Sequence, residues 1–202
     1  MPQVLESIQL GLAACCIGLG KCCQWIQCQK PPAVVKEQYE VLCLGLKGAG
    51  KSTALASLVG EPTDDIEPTT GFNIKTLPLL DTTLNIKELG GGQDVRVFWN
   101  KYFHGQHGIL FVVDASSNEQ DLRFSKEALE TVLSDVALKG VPCVVLVTHL
   151  DIPEHKTTEQ LEQLFRGTLH GRKWMFHPFH LGSDEGIRQG LETLVDLMIR
   201  SG

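Results

Sequence analysis

Residues 45–52, which read GLKGAGKS, combine glycine, lysine and serine at a spacing that suits phosphate binding. Glycines let a loop curl so that successive backbone N–H groups point at phosphate oxygens. The pattern G-x-x-x-x-G-K-[ST] is expected between a buried strand and a helix, whose N-terminus adds a positive dipole end. We therefore predict a phosphate cradle in which a lysine reaches the outer phosphates and a serine hydroxyl ligates Mg²⁺. It consists of Gly45, Lys47, Gly48, Ala49, Gly50, Lys51, Ser52 and Thr53.

The rest of the sequence supplies elements that would hold this loop. Strand-like apolar runs lie at 40–46, 83–89, 108–114 and 141–149, and helix-like patterns lie at about 50–59, 95–104, 119–138, 157–169 and 185–200. Strands that alternate with helices indicate βαβ units and a mostly parallel sheet. Residues 72–80 are a further strand candidate, which Pro78 restricts to a sheet edge. The sequence thus predicts an α/β fold with an antiparallel hairpin at the edge of the sheet.

The charge distribution separates an N-terminal arm from the rest of the chain. The whole chain has a net charge of −6, so nothing indicates a nucleic-acid surface. Residues 1–36 carry three lysines and a single glutamate, and five of the seven cysteines lie there. An odd, crowded set of cysteines argues against a disulfide framework and indicates a reducing compartment. We divide the chain into an arm, 1–36, and a main domain, 37–202.

The arm has the pattern of a helix that lies on a membrane surface. Apolar residues at spacings of three and four over 3–19 form one face of an amphipathic helix. The uncharged run at 7–20 has 14 residues, whereas a membrane-spanning helix needs about 20. We expect residues 1–28 to contact the cytoplasmic face of a membrane peripherally, without crossing it.

Paired cysteines beside such a helix suggest S-palmitoylation, because two acyl chains anchor a protein more stably than one helix does. Metal binding by the cysteines and their burial in the helix are the alternatives. The candidates are Cys15, Cys16, Cys22, Cys23 and Cys28.

Three motifs after the loop resemble those of the Arf and Arf-like small GTPases. They are PTTGFNI at 68–74, ELGGGQDVRVFWNKYF at 88–103 and GILFVVDAS at 108–116. The resemblance implies the P-loop NTPase fold of small G proteins: a six-stranded, mostly parallel sheet with one antiparallel edge hairpin and helices on both faces. It also implies GTP or GDP with Mg²⁺ as ligands. Effector, exchange and GTPase-activating proteins would bind through the switch segments 66–75 and 88–103.

The resemblance assigns roles around the outer phosphate. Thr69 would close onto Mg²⁺ and the γ-phosphate, and Gly90 would offer its N–H to that phosphate. The metal would be held by Ser52, Thr69 and Glu88, although the family has aspartate at the position of Glu88. Asp114 is a competing acid, which the spacing to the glycines disfavours; we expect it to cap the following loop.

The glycine run at 90–92 departs from the family pattern at the one position whose side chain is needed for hydrolysis. The family has a glutamine four residues after the metal-side acid, and that position is Gly92, between Gly91 and Gln93. Glycine has no side chain to orient the attacking water. We place Gly91, Gly92 and Thr69 at the catalytic position and expect very slow hydrolysis unless a partner completes the site. A slip of the loop that brings Gln93 into place is the alternative.

The loop predicted to bind the base also departs from the family pattern. THLD at 148–151 stands where the family has N-K-x-D, so Asp151 would accept hydrogen bonds from the guanine N1–H and N2–H₂. Thr148 and His149 replace asparagine and lysine, which leaves open how the loop is braced and what stacks under the base. Leu181 would approach the base. We expect a preference for guanine with weakened affinity.

Together these features predict a membrane-associated, Arf-like switch that binds GTP, hydrolyses it slowly and recruits effectors in the GTP state. One alternative is a scaffold that binds nucleotide without turnover. A P-loop kinase is the other, and it leaves PTTGF without a role.

Overall fold

The fold is built around a six-stranded β-sheet. The computed structural model describes residues 36–183 and 185–200. The strands are β1 Glu37–Gly45, β2 Phe72–Leu79, β3 Thr82–Leu89, β4 Gly108–Asp114, β5 Cys143–Thr148 and β6 Trp174–Pro178. They lie in the order β2-β3-β1-β4-β5-β6 across the sheet. The β2–β3 pair is antiparallel and the other four pairs are parallel, so the predicted fold class is confirmed.

Pro78 lies on the edge strand β2, opposite Thr83 of β3. Proline has no N–H to donate to a strand ladder, and an edge strand has a free side on which none is needed. The edge hairpin predicted from Pro78 is therefore present.

Helices cover both faces of the sheet. Within the described residues the α-helices are α1 Lys51–Val59, α2 Gln93–Arg96, α3 Glu119–Ser134, α4 Thr158–Phe165 and α5 Glu185–Ile199. Short 3₁₀ helices lie at Trp99–Tyr102 and Val136–Leu138.

Alternate strand residues send their side chains to opposite faces of the sheet. Val41 and Cys43 of β1 pack in a buried cluster with residues of α1 and α5. Leu42 and Leu44 of the same strand pack in a second cluster with residues of α3 and α4. Burial on both faces explains why the central strands are continuous apolar runs in the sequence.

The carboxyl ends of the parallel strands bring the predicted site to one edge of the sheet. β1 ends at Gly45, β4 at Asp114 and β5 at Thr148, and Asp114 faces Thr148 in register. On the other side of β1, Glu88 of β3 lies beside Cys43. In open parallel sheets this is the edge at which ligands bind.

Some elements differ from those predicted. The helix predicted at 95–104 is divided into α2 and a 3₁₀ helix, and the one predicted at 119–138 ends its α-helical part at Ser134. Strand β6 was not among the predicted runs, because five residues that include His177 and Pro178 do not form an apolar strand pattern.

Residues 1–35 of the predicted arm fall outside the described residues, and with them Cys15, Cys16, Cys22, Cys23 and Cys28. The division at residue 36 and the lipidation sites therefore stay predictions. In the part of the chain that the structure describes, no helix has the length and apolarity to cross a bilayer.

Candidate nucleotide-binding site

The loop between β1 and α1 has a backbone that requires glycine at two positions. Gly50, just before α1, has φ of 80°, in the left-handed region that glycine adopts at little cost. A Cβ atom at Gly45 would lie 2.4 Å from the carbonyl oxygen of Val112 on β4, so no larger residue fits there. The loop therefore curls tightly from the end of β1 into the N-terminus of α1.

Lys51 folds back over this loop. Its side chain is buried, and its Nζ donates to the carbonyl oxygens of Gly45 at 3.1 Å and Leu46 at 2.9 Å. Burial lowers the pKa of the ammonium group. Because an adjacent anion favours the charged form, a phosphate near Lys51 would offset the effect of burial.

Three oxygen-bearing side chains converge at the start of α1. Ser52 Oγ lies 3.2 Å from Thr69 Oγ1 and donates a hydrogen bond to Glu88 Oε1. Thr69 Oγ1 lies 3.3 Å from the same carboxylate oxygen. The structure thus brings together all three residues that were predicted to ligate Mg²⁺.

One oxygen of the Glu88 carboxylate is available to bind another ligand. Glu88 is 1% exposed, and its Oε2 has no hydrogen-bond partner. An unpaired buried polar atom is costly, and carboxylate and hydroxyl oxygens are ligands that Mg²⁺ prefers. The donor set around Glu88 therefore fits a magnesium ion.

Gly91 crosses the phosphate loop in direct main-chain contact. The Lys47 N–H donates to the Gly91 carbonyl at 3.1 Å. A Cβ atom at Gly91 would lie 2.4 Å from the Gly45 carbonyl oxygen and 2.5 Å from the Lys47 nitrogen. Only glycine allows the end of β3 to approach the loop this closely.

Gly90 connects the same segment to residues 66–75. Its N–H donates to the Gly71 carbonyl at 2.8 Å, and its carbonyl accepts from the Trp99 indole N–H at 2.9 Å. The Gly90 N–H is thus directed at Gly71, not at a phosphate position as the sequence predicted.

A cavity of about 310 Å³ opens between the loop, the segment 66–75 and the glycine run. Gly45 and Ala49 of the predicted cradle support the loop without lining this cavity. The predicted site residues that line it are Lys47, Gly48, Gly50, Lys51, Ser52, Thr53, Thr69, Gly91, Gly92 and His149.

The register of the glycine run places Gly92 at the cavity and Gln93 outside it. Gln93 is exposed and lines neighbouring depressions on the α3 side, together with Arg96. Asp94 lines the cavity beside Gly92. Nothing in the sequence pattern singled out Asp94, because the family motif assigns it no role.

Thr148 braces the phosphate loop from the end of β5. It is buried, and its Oγ1 lies 2.9 Å from the Ala49 carbonyl oxygen and 3.1 Å from that of Val113. A hydroxyl has one proton, so it donates to one of these carbonyls at a time. The sequence did not show what would hold the loop in place of the family's asparagine, and the structure assigns this role to the Thr148 hydroxyl.

His149 pairs with Asp114 at the margin of the cavity. Its Nδ1 lies 3.2 Å from Asp114 Oδ1, which also accepts from the Ser116 N–H at 2.8 Å. Burial acts to raise the pKa of Asp114, but the hydrogen bonds from His149 and Ser116 outweigh it and lower the pKa to about 2. The bond to Asp114 raises the pKa of His149. Asp114 thus caps the loop after β4, as expected.

The two other residues predicted to contact a base do not line the cavity. Asp151 is exposed in the turn after β5, and Leu181 is 57% exposed in the turn after β6. Because β5 and β6 are parallel neighbours, both turns lie at the same edge of the sheet as Thr148.

A glycine loop between β1 and α1, a buried lysine above it and an oxygen cluster beside it define a P-loop nucleotide-binding protein. The sequence model of the ADP-ribosylation factor family matches residues 28–198. The chain therefore belongs to this family of small GTPases.

Individual relatives agree with this assignment. The chain is 32% identical over 173 residues to ADP-ribosylation factor-like protein 15 of Homo sapiens, covering 85% of each. It is 33% identical over 163 residues to ADP-ribosylation factor K of Dictyostelium discoideum, covering 80% of this chain and 86% of that protein. The fold matches the Arl6 BBS3 small GTPase of Trypanosoma brucei, solved with the nucleotide analogue GppNp. The TM-score is 0.73 at 21% identity, over 82% of this chain and 99% of that one.

Replacement of Thr148 by valine tests the brace. The Ala49 carbonyl would lose its hydroxyl partner, so we expect Thr148→Val to lower the free energy of unfolding by about 1–3 kcal/mol, measured by urea denaturation. Thr148→Ser is the matched control, because it retains the hydroxyl. Equal stability of the valine variant and the wild type would contradict the brace.

The pair of Asp114 and His149 predicts a pH dependence. The raised pKa of His149 contributes stability below about pH 6.5, which is lost as the pH rises through the folded-state pKa. The lowered pKa of Asp114 contributes stability above about pH 3.8, which is lost as the pH falls towards 2. The difference in unfolding free energy between wild type and His149→Gln should therefore be largest between these two values.

The measurement is urea unfolding at a series of pH values, with His170→Gln, at an exposed position, as the control. A difference between wild type and His149→Gln that does not change from pH 5 to pH 8 would rule out the ion pair.

Proposed function

We propose that this chain is a GTP-binding molecular switch whose two switch segments close on the γ-phosphate. The observation that carries the proposal is the convergence of Ser52, Thr69 and Glu88 beside the glycine loop. These residues come from the loop helix and from each of the two switch segments. A ligand that they share would couple the segments to one another.

The phosphate chain would lie along the backbone N–H groups of residues 48–52, with the Lys51 ammonium near the outer phosphates. Mg²⁺, when bound, would neutralise phosphate charge and orient the β- and γ-phosphates. Ser52, Thr69 and Glu88 would hold it. The longer side chain of Glu88, compared with aspartate, suits contact either directly or through water.

Switching would follow from the contacts of Thr69 and Gly90. Thr69 lies on the segment 66–75, and Gly90 lies on the segment 88–103 and bonds to Gly71 of the first. Thr69 of the first segment and Glu88 of the second would meet at Mg²⁺ beside the γ-phosphate, so loss of that phosphate would weaken their shared ligand set and release both segments, as in other GTPases. Effectors, exchange factors and GTPase-activating proteins would recognise these segments.

Guanine selectivity would depend on the turns after β5 and β6. The exposed Asp151 carboxylate would accept the N1–H and N2–H₂ of guanine, a donor pair that adenine lacks. His149 would lie against the base from the margin of the cavity, with Leu181 on the outer side. Thr148 would act indirectly, through its contact with the phosphate loop.

Hydrolysis would be slow, because Gly92 has no side chain to orient water. A binding protein without turnover is the second candidate, and the same glycine favours it. Residues 1–28 would hold the protein at the cytoplasmic face of a membrane through their apolar face and acylated cysteines.

Isothermal titration calorimetry on the full chain with Mg²⁺ tests the proposal. We expect GTP and GDP to bind and ATP not to bind. Asp151→Asn should weaken GTP binding about 10- to 100-fold, because an amide N–H would then face the guanine N2–H₂. The same variant should bind xanthosine triphosphate, whose C2 carbonyl accepts that N–H.

Asp196→Asn is the matched control, since Asp196 is exposed on α5, away from the cavity. Failure of well-folded wild-type protein to bind any guanine nucleotide would refute the proposed function. An unchanged preference in Asp151→Asn would refute the assignment of the base-reading residue.

A further inference from the structure

Gly92 has an ordinary backbone conformation that does not itself require glycine. Its φ is −65° and its ψ is 152°, in the extended region that other residues adopt freely. The backbone alone therefore does not explain a glycine at this position, and the atoms around it are the next point to consider.

That space is taken by Asp94. A Cβ atom at Gly92 would lie 2.6 Å from Asp94 Oδ1, closer than real Cβ atoms come to other heavy atoms. The Asp94 carboxylate thus occupies the volume in which a side chain at residue 92 would begin.

Asp94 also faces the reaction space. It lies in the first turn of α2 and lines the same cavity as Lys51, Thr69 and Gly92. Gln93, the neighbouring residue, lies outside that cavity. Within this cavity Asp94 is therefore the polar residue next to Gly92, whereas Gln93 lines a separate depression with Gly92 on the α3 side.

We propose that the Asp94 carboxylate replaces the missing glutamine and holds the water that attacks the γ-phosphate. This inference rests on the proposed function, because it needs GTP in the cavity. The oxygen that overlaps the side-chain position of residue 92 is the acceptor for one water O–H.

The step is a direct transfer of the γ-phosphoryl group to water. A bond forms between the water oxygen and the γ-phosphorus, and the bond from that phosphorus to the bridging oxygen breaks. The electron pair of the broken bond leaves with GDP. One water proton is bonded to Asp94 during attack, and both protons leave with the inorganic phosphate and solvent.

The charge of Asp94 opposes the approach of a triphosphate. Two basic residues, Lys47 and Lys51, line the same cavity. They would offset this repulsion in part, and the remaining repulsion agrees with slow hydrolysis.

Single-turnover hydrolysis of GTP by the full chain tests the proposal, with GTP affinity measured in parallel by calorimetry. We expect slow but measurable hydrolysis by the wild type. Asp94→Ala should lower the rate at least about tenfold, because a positioned acceptor typically contributes 10²–10⁴. Its GTP affinity should equal or exceed that of the wild type, since the water is not part of ground-state binding and the substitution removes a negative charge from the cavity.

A second substitution provides the rescue. Gly92→Gln in the Asp94→Ala background has space for the new side chain, so it should recover the rate. Gly92→Gln alone should recover less, because glutamine and Asp94 compete for one position. Asp196→Ala on α5 is the matched control and should leave both rate and affinity unchanged.

Two outcomes would overturn this inference while the proposed function stands. One is tight GTP binding with equal hydrolysis rates in the wild type and Asp94→Ala. The other is tight binding with no hydrolysis by the wild type. Absence of GTP binding by every folded variant would refute the proposed function and this inference together.

Discussion

The contact between Gly91 and the main chain of the phosphate loop is the constraint on which the site depends. A Cβ atom at this glycine would overlap backbone atoms of Gly45 and Lys47, so the two segments meet without side chains between them. The hydrogen bond from the Lys47 N–H to the Gly91 carbonyl then fixes their relative position. As a result Glu88, three residues earlier, is held where its carboxylate reaches Ser52.

Features that follow from local chemistry could be predicted from the sequence. The glycine loop with Lys51 and Ser52 needs specific residue types at fixed spacing, so its position and its strand-to-helix context were predicted correctly. Pro78 located the edge hairpin, because a missing N–H restricts proline to a free strand edge. The register that places Gly92 at the cavity followed from counting residues on both sides of the glycine run.

Features that depend on packing between distant segments could not be predicted. Strand β6 forms because β5 offers it a partner, and its own five residues carry no strand pattern. The N–H of Gly90 is taken by Gly71, a contact that no motif encodes. Asp94 reaches the position beside Gly92 only because α2 begins where it does, and the brace from Thr148 requires a loop 99 residues away in sequence.

The most direct test is a crystal structure with a non-hydrolysable GTP analogue and Mg²⁺. The account predicts phosphates in the cavity beside Lys51, and a metal ion about 2.0–2.1 Å from Ser52 Oγ and Thr69 Oγ1. Glu88 Oε2 should face that ion, directly or through one water molecule. Phosphates bound elsewhere, or a Glu88 carboxylate that contacts only protein atoms with the analogue present, would contradict it.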